Sequence, residues 1–207
     1  MTDASTRTSE PRTVVVQVTP VNDPPELIID TATPGLNFAT VFVEAGAPAL
    51  LGAQANLSLI DVDNTYLQSV TFTITNVHDD GYEFVAIDSN HSAAGLVNQS
   101  VVTSPGMYVL TITAEAPVTV ADMRALINSA TYWNNISEPN VTQRVVWIVV
   151  NDGTDDSLLA GTTVDIALIN DNTPVVSIDT AAYAPVLLES PNHLVPNVPR
   201  TCHLLPA

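Results

Sequence analysis

The chain has 207 residues, 46% of them hydrophobic, and its 5 Lys+Arg stand against 22 Asp+Glu for a formal net charge of −17. Every cation is an arginine (Arg7, Arg12, Arg124, Arg144, Arg200), which excludes a Walker A loop and argues against nucleic acid as a partner. The one cysteine, Cys202, allows no intrachain disulfide; no stretch reaches the roughly 18 apolar residues of a membrane span, and the opening MTDASTRTSEPRT has no signal-peptide core.

The first informative segment is Val14 to Asp30, VVVQVTPVNDPPELIID, which recurs as Val164 to Asp179, VDIALINDNTPVVSID. Both alternate β-branched residues, then give Asn-Asp, a proline-containing break and a second apolar run. Asn22 and Asn170 are equivalent, and 170 − 22 gives a period of 148 residues. The expected organisation is residues 1–25 as a polar start plus the last strand and linker of a preceding repeat. Residues 26–172 form one repeat, and residues 173–207 open a following repeat and end in a proline-rich irregular tail.

Inside the repeat, Val70–Thr75 and Tyr108–Thr113 alternate apolar residues with threonine, the pattern of half-buried strands. Phe72 and Ile74 should therefore share one buried face, as should Leu110 and Ile112. Turn signals stand at Asp79-Asp80-Gly81, Pro105-Gly106 and Asn151-Asp152-Gly153. Thr119-Val-Ala-Asp122 has the logic of a capping box, and Met123, Leu126 and Ile127 recur at helical spacing, so a helix is predicted over 120–129. Two further strands are predicted, over 144–150 and 162–169, and Trp147 is read as core. The expected fold is all-β: an antiparallel Greek-key β-sandwich with one short helix insertion.

The motifs carry a resemblance. Asn170-Asp171-Asn172-Thr173-Pro174 resembles the NDNxP linker of cadherin repeats, and Asn22-Asp23-Pro24-Pro25 resembles the NDPP variant of cadherin-like repeats in large surface proteins. Between them, in cadherin order, Phe42-Val43-Glu44 resembles the acidic end of the first strand. Asp61-Val62-Asp63 resembles the DxD element, and Asn151-Asp152-Gly153 the A-x-D-x-x-G region. The resemblance implies a calcium-binding, cadherin-like or immunoglobulin-like extracellular repeat, an adhesion and spacer module of a larger glycosylated surface protein. It implies neighbouring repeats as partners, a cell-surface protein or glycan beyond them, and membrane attachment only through other parts of the parent. By the family pattern Asp61, Asp63 and Asp152, with linker Asn22 and Asp23, would hold Ca2+ at the junction with the preceding repeat. Glu44 with Asn170, Asp171 and Asn172 would serve the following one. Pro20 and Leu168 stand where the family's linkers carry Asp, and its DRE element is not recognisable, which implies fewer or weaker ion sites. An EF-hand reading of Asp61 fails, because Tyr66 and Phe72 occupy its glycine and glutamate positions.

Five sequons, at Asn56, Asn90, Asn98, Asn135 and Asn140, fit a secreted surface protein. No catalytic centre is expected: His78, His91, His193 and His203 show no metal-binding spacing, there is no G-x-S-x-G elbow, and Asp155-Asp156 reads as a solvated pair. Two other classes stand beside the adhesion reading. One is a carbohydrate- or ligand-binding sandwich using aromatics near Tyr132 and Trp133. The other is an accessory domain of a secreted hydrolase.

Overall fold

The computed structural model describes residues 11–33, 37–88 and 96–170, less the side chains of residues 96–98 and 117, and these belong to one compact unit ending at Asn170. The predicted proline-rich tail, with Asp171 and Asn172, lies outside the described residues.

Eleven strands and one α-helix follow in order: β1 (Glu26–Ile28), β2 (Asn37–Val43), β3 (Ala49–Leu50), β4 (Ser58–Ile60), β5 (Tyr66–Ile74), β6 (Glu83–Ala86), β7 (Leu96–Ser104), β8 (Met107–Thr119), α1 (Val120–Ser129), β9 (Thr131–Asn134), β10 (Arg144–Asn151) and β11 (Ala160–Ala167). The alternating runs set the large layer, a six-stranded sheet of order β2-β11-β10-β5-β8-β7. On its inner face Phe72, Ile74, Leu110 and Ile112 are all buried, as their spacing requires, together with Val146, Ile148 and Val150 of β10. Facing it lie the three-stranded sheet β3-β9-β6 and the pair β1-β4. Leu27, Ile29, Leu57, Leu59, Val85 and Tyr132 from this second layer enter the same core, where Phe42 meets Tyr132 edge-on with ring centroids 5.5 Å apart.

The layers make an all-β sandwich with one short helix. Among the described residues the strand pairs are antiparallel except one: β2 runs parallel to β11 over seven residue pairs, from Asn37↔Gly161 to Val43↔Ala167. Beyond the plain sandwich, the β7–β8 hairpin extends the large sheet past β5, and its turn places Gly106 at φ 75°, as a Pro-Gly type II turn demands. α1 follows β8 directly. Thr119 Oγ1 accepts from Asp122 N at 3.1 Å and donates to the Asp122 carboxylate at 2.7 Å, which starts the helix at the predicted residue. Its buried stripe is Met123, Leu126 and Ile127, so truncating Leu126 to alanine should cost about 2–5 kcal/mol.

One expectation about placement needs correcting. Trp147 is half-buried on the outer face of the large sheet, not in the core, and its ring lies over Gly161, where a Cβ would sit 2.7 Å from Cζ3. The run Arg144–Val150 is apolar on both faces, so alternation alone could not choose its phase. Buried Arg144 fixes it.

Candidate functional site

Three segments far apart in sequence meet at the end of the sandwich where β4 and β10 finish. They are the linker before β1, residues 61–64 between β4 and β5, and the turn after Asn151. Each loop is shaped by its own acids. Asp61 Oδ1 accepts from Asn64 N at 2.8 Å and from Asp63 N at 3.3 Å. Asp152 Oδ1 accepts from Thr154 N at 2.7 Å and Asp155 N at 2.8 Å, while Gly153 takes φ 105°.

Amide groups tie the segments together. Asn22 Nδ2 donates to Asp152 Oδ2 at 2.8 Å and to Asp155 Oδ2 at 2.9 Å. Asn64 Nδ2 donates to Asn22 Oδ1 at 2.9 Å and reaches Asp152 Oδ2 at 3.3 Å, and Asp23 N donates to Asp63 Oδ2 at 3.0 Å. The sequence-predicted residues Asn22, Asp23, Asp61, Asp63 and Asp152 are thus brought together, joined by Asn64 and Asp155, which the motifs did not single out. Asp155 is no merely solvated acid; it holds the linker. The usable signal was its position three residues after Asp152, inside the reach of that turn.

The electrostatics are unbalanced. Five aspartates meet at this corner, and none of the hydrogen bonds that join it comes from a cationic side chain. Asp61 Oδ2 is buried with no hydrogen-bond partner among the described residues. Burial, reinforced by the neighbouring Asp63 carboxylate, pushes the Asp61 carboxyl above its ordinary range although backbone amides pull the other way. Asp152 is held below its ordinary range: burial opposes this, but the Asn22 amide and the backbone amides of Asp155 and Thr154 outweigh it. Among the described residues no three Asp, Glu, His or Cys side chains stand ready-grouped to hold a metal ion. Amide N–H groups occupy the space between the carboxylates instead. The carboxylate and Asn side-chain oxygens gathered here are hard donors of the kind calcium takes.

At the opposite end, Glu44 follows β2. It is buried, its Oε2 accepts from Ile169 N at 2.9 Å, and its Oε1 has no partner among the described residues. Asn170 is exposed close by in sequence. The two predicted groups of ligands are therefore separated as the sequence expected, though the second is seen only through Glu44 and Asn170.

A second polar cluster was not foreseen. Arg144, fully buried, is gripped by Glu83 through Nε (3.0 and 2.9 Å) and Nη2 (2.8 Å), and by Asp79 through Nη2 at 2.9 Å. Its Nη1 donates to the Thr142 carbonyl, Tyr132 Oη donates to Glu83 at 3.0 Å, and Asn134 donates to Asp79 at 2.8 Å. Burial pushes the Tyr132 hydroxyl far above its ordinary range, and the Glu83 charge adds to it. Glu83 is held low despite burial, because Arg144 and the amides of Asp79 and His78 favour its charged form. Of the aromatics expected to meet a ligand, Tyr132 is buried. Trp133 is half-buried on the outer face beside Phe84, ring centroids 6.3 Å apart. The sequon residues Asn56, Asn135 and Asn140 are exposed.

No helix among the described residues is long and apolar enough to cross a membrane. No protein-family model matches the chain, and no curated protein matches it. Among solved structures it is similar to the seventh ScaB type I cohesin from Pseudobacteroides cellulosolvens, at 9% identity over 69% of this chain and 96% of that one, with a TM-score of 0.32. An overlay that loose carries no argument; the all-β sandwich rests on the strand pairing itself.

Proposed function

We propose that this chain is a cadherin-like, calcium-stabilised repeat of an extracellular surface protein, serving as a spacer and adhesion module rather than a catalyst. One observation carries the reading. Linker residues Asn22 and Asp23 bond directly to acids 40 and 130 positions away, at a corner where Asp61 keeps a buried oxygen without a partner. A repeat that binds an ion at its upstream junction needs this convergence of linker, DxD loop and last-turn acid.

Asp61, Asp63, Asp152 and Asp155 would supply carboxylate oxygens, and Asn22 its carbonyl once the amide turns. The ion would neutralise repelling carboxylates and fix the linker against the sandwich, which is the property a spacer requires. Glu44 with Asn170, Asp171 and Asn172 would do the same at the downstream junction. Neighbouring repeats of the same parent are the proposed partners.

The test is a thermal melt in chelator and across calcium concentrations up to the millimolar range of extracellular modules. Calcium at a hundred times its dissociation constant should stabilise by about 2.7 kcal/mol, a shift of several degrees. Asp63→Asn with Asp152→Asn should remove the shift. A parent melt indifferent to calcium, or a double mutant that responds equally, ends the reading and leaves an ion-free spacer.

A further inference from the structure

Residues 11–21, ahead of the acidic corner, belong to none of the sheets, and no described strand pairs with them. Val14, Val15, Val16 and Val18 are each between 77% and 88% exposed. Four bare valines in a β-branched, alternating run are a strand without a sheet, and apolar surface of this kind calls for a cover.

The chain carries its own guide to that cover. The period of 148 residues that relates Asn22 to Asn170 places Val14–Thr19 on Thr162–Ala167, most of β11. In β11, Thr162, Val164 and Ile166 are buried, while Thr163 and Ala167 are half-buried and Asp165 is exposed. Val14, Val16 and Val18 fall on the three buried places, and polar Gln17 falls on the exposed one. Pro20 falls on Leu168, just past the last ladder residue, where a missing N–H removes no strand pairing. Val21 falls on Ile169, whose N–H is the one that buried Glu44 accepts.

β11 has a neighbour on each side, antiparallel β10 and parallel β2. A slot walled on both sides satisfies the backbone groups of an incoming strand along both of its edges, which addition to a free sheet edge does not. We propose that Val14–Thr19 is a donor strand that completes a second sandwich of this same kind. It enters between that sandwich's β10 and β2, with Val14, Val16 and Val18 in its core. The inference rests on the repeat reading and deepens it: the partner is a copy of the fold short of its own last strand, in the parent the preceding repeat. Only Pro20 and Val21 separate the donor from Asn22, so the completed sandwich would be seated against the acidic corner.

Two experiments on the full chain test this, both in chelator, so that a failed calcium response leaves them untouched. In the first, the sequence of residues 14–19 is grafted onto 162–167 by Thr162→Val, Thr163→Val, Asp165→Gln, Ile166→Val and Ala167→Thr. The graft gives up the Thr162 bond to the Leu51 carbonyl and one buried methylene, so its melting temperature should fall by no more than about 10 °C. The same graft slipped by one residue, using 15–20, buries Gln17 and Thr19 and should abolish the folding transition. In the second, Val164→Asp evicts β11 and vacates the slot, so copies should link head to tail, each giving residues 14–19 to the next. Sedimentation should show concentration-dependent oligomers that keep native tryptophan fluorescence, and adding Val16→Asp should abolish them. A graft as damaging as the slipped one, no native-like oligomers of Val164→Asp, or oligomers indifferent to Val16→Asp overturns the proposal.

Discussion

β10 has a charged cluster at each end, and the two are balanced by different means. At its start, Arg144 brings the counter-charge inside the protein: Glu83 and Asp79 have it within 2.9 Å, and Arg144 and Glu83 are almost wholly dry. At its finish, Asp61, Asp63, Asp152 and Asp155 face amides rather than cations, and one buried oxygen goes unmatched. The first cluster is closed and fixes which strands meet. The second is open, and a neighbouring ion is what would complete it. In a sequence so short of cations, where one is used shows which acids are structural.

The largest break in that contrast should come at Arg144. Arg144→Leu strands the buried Glu83 and the partly buried Asp79, so urea melts should show a loss of about 3–5 kcal/mol while any calcium-induced shift at the far end persists. A loss under about 1 kcal/mol would mean the cluster is better hydrated than its burial implies.

A smaller effect of opposite sign is expected at Asp61. Its folded-state pKa is raised, so the stability it contributes is present at low pH and is lost as pH rises through that folded value. Asp61→Asn keeps the oxygen that accepts from Asn64 and replaces the unmatched one with a donor. At pH 7 in chelator it should therefore stabilise by about 1 kcal/mol, or about 2–4 °C. The gain should shrink as pH falls towards the acid range, where Asp61 is already protonated, and the calcium response should disappear with the substitution. Destabilisation at neutral pH would show that the Asp61 charge is already balanced.

What the sequence disclosed followed its periodicity. Strands of eight or more residues with strict alternation, and the capped helix, were legible because one face repeats often enough to be counted. β3, β6 and β9 span only two to four residues each, too few for a period, and β9 gives no strand signal although it is the middle strand of the small sheet. Arg144 gave no signal because its partner Glu83 lies 61 positions away. At the acidic corner the motif residues were legible from linker and DxD patterns. Asn64 and Asp155 were not, since their roles arise only when loops from different strands are folded against each other.

The single parallel pairing has a mechanical consequence. β2 follows β1 early in the described unit and β11 runs close to its end, side by side in the same direction over seven residue pairs. A pull between the two ends drags these strands past each other lengthwise, loading the evenly spaced bonds of the ladder together instead of opening them one by one. A chain of such units under tension would resist in shear. Single-molecule pulling should show a high rupture force that falls sharply when proline replaces Thr163 or Asp165; an unchanged force would mean the load runs elsewhere.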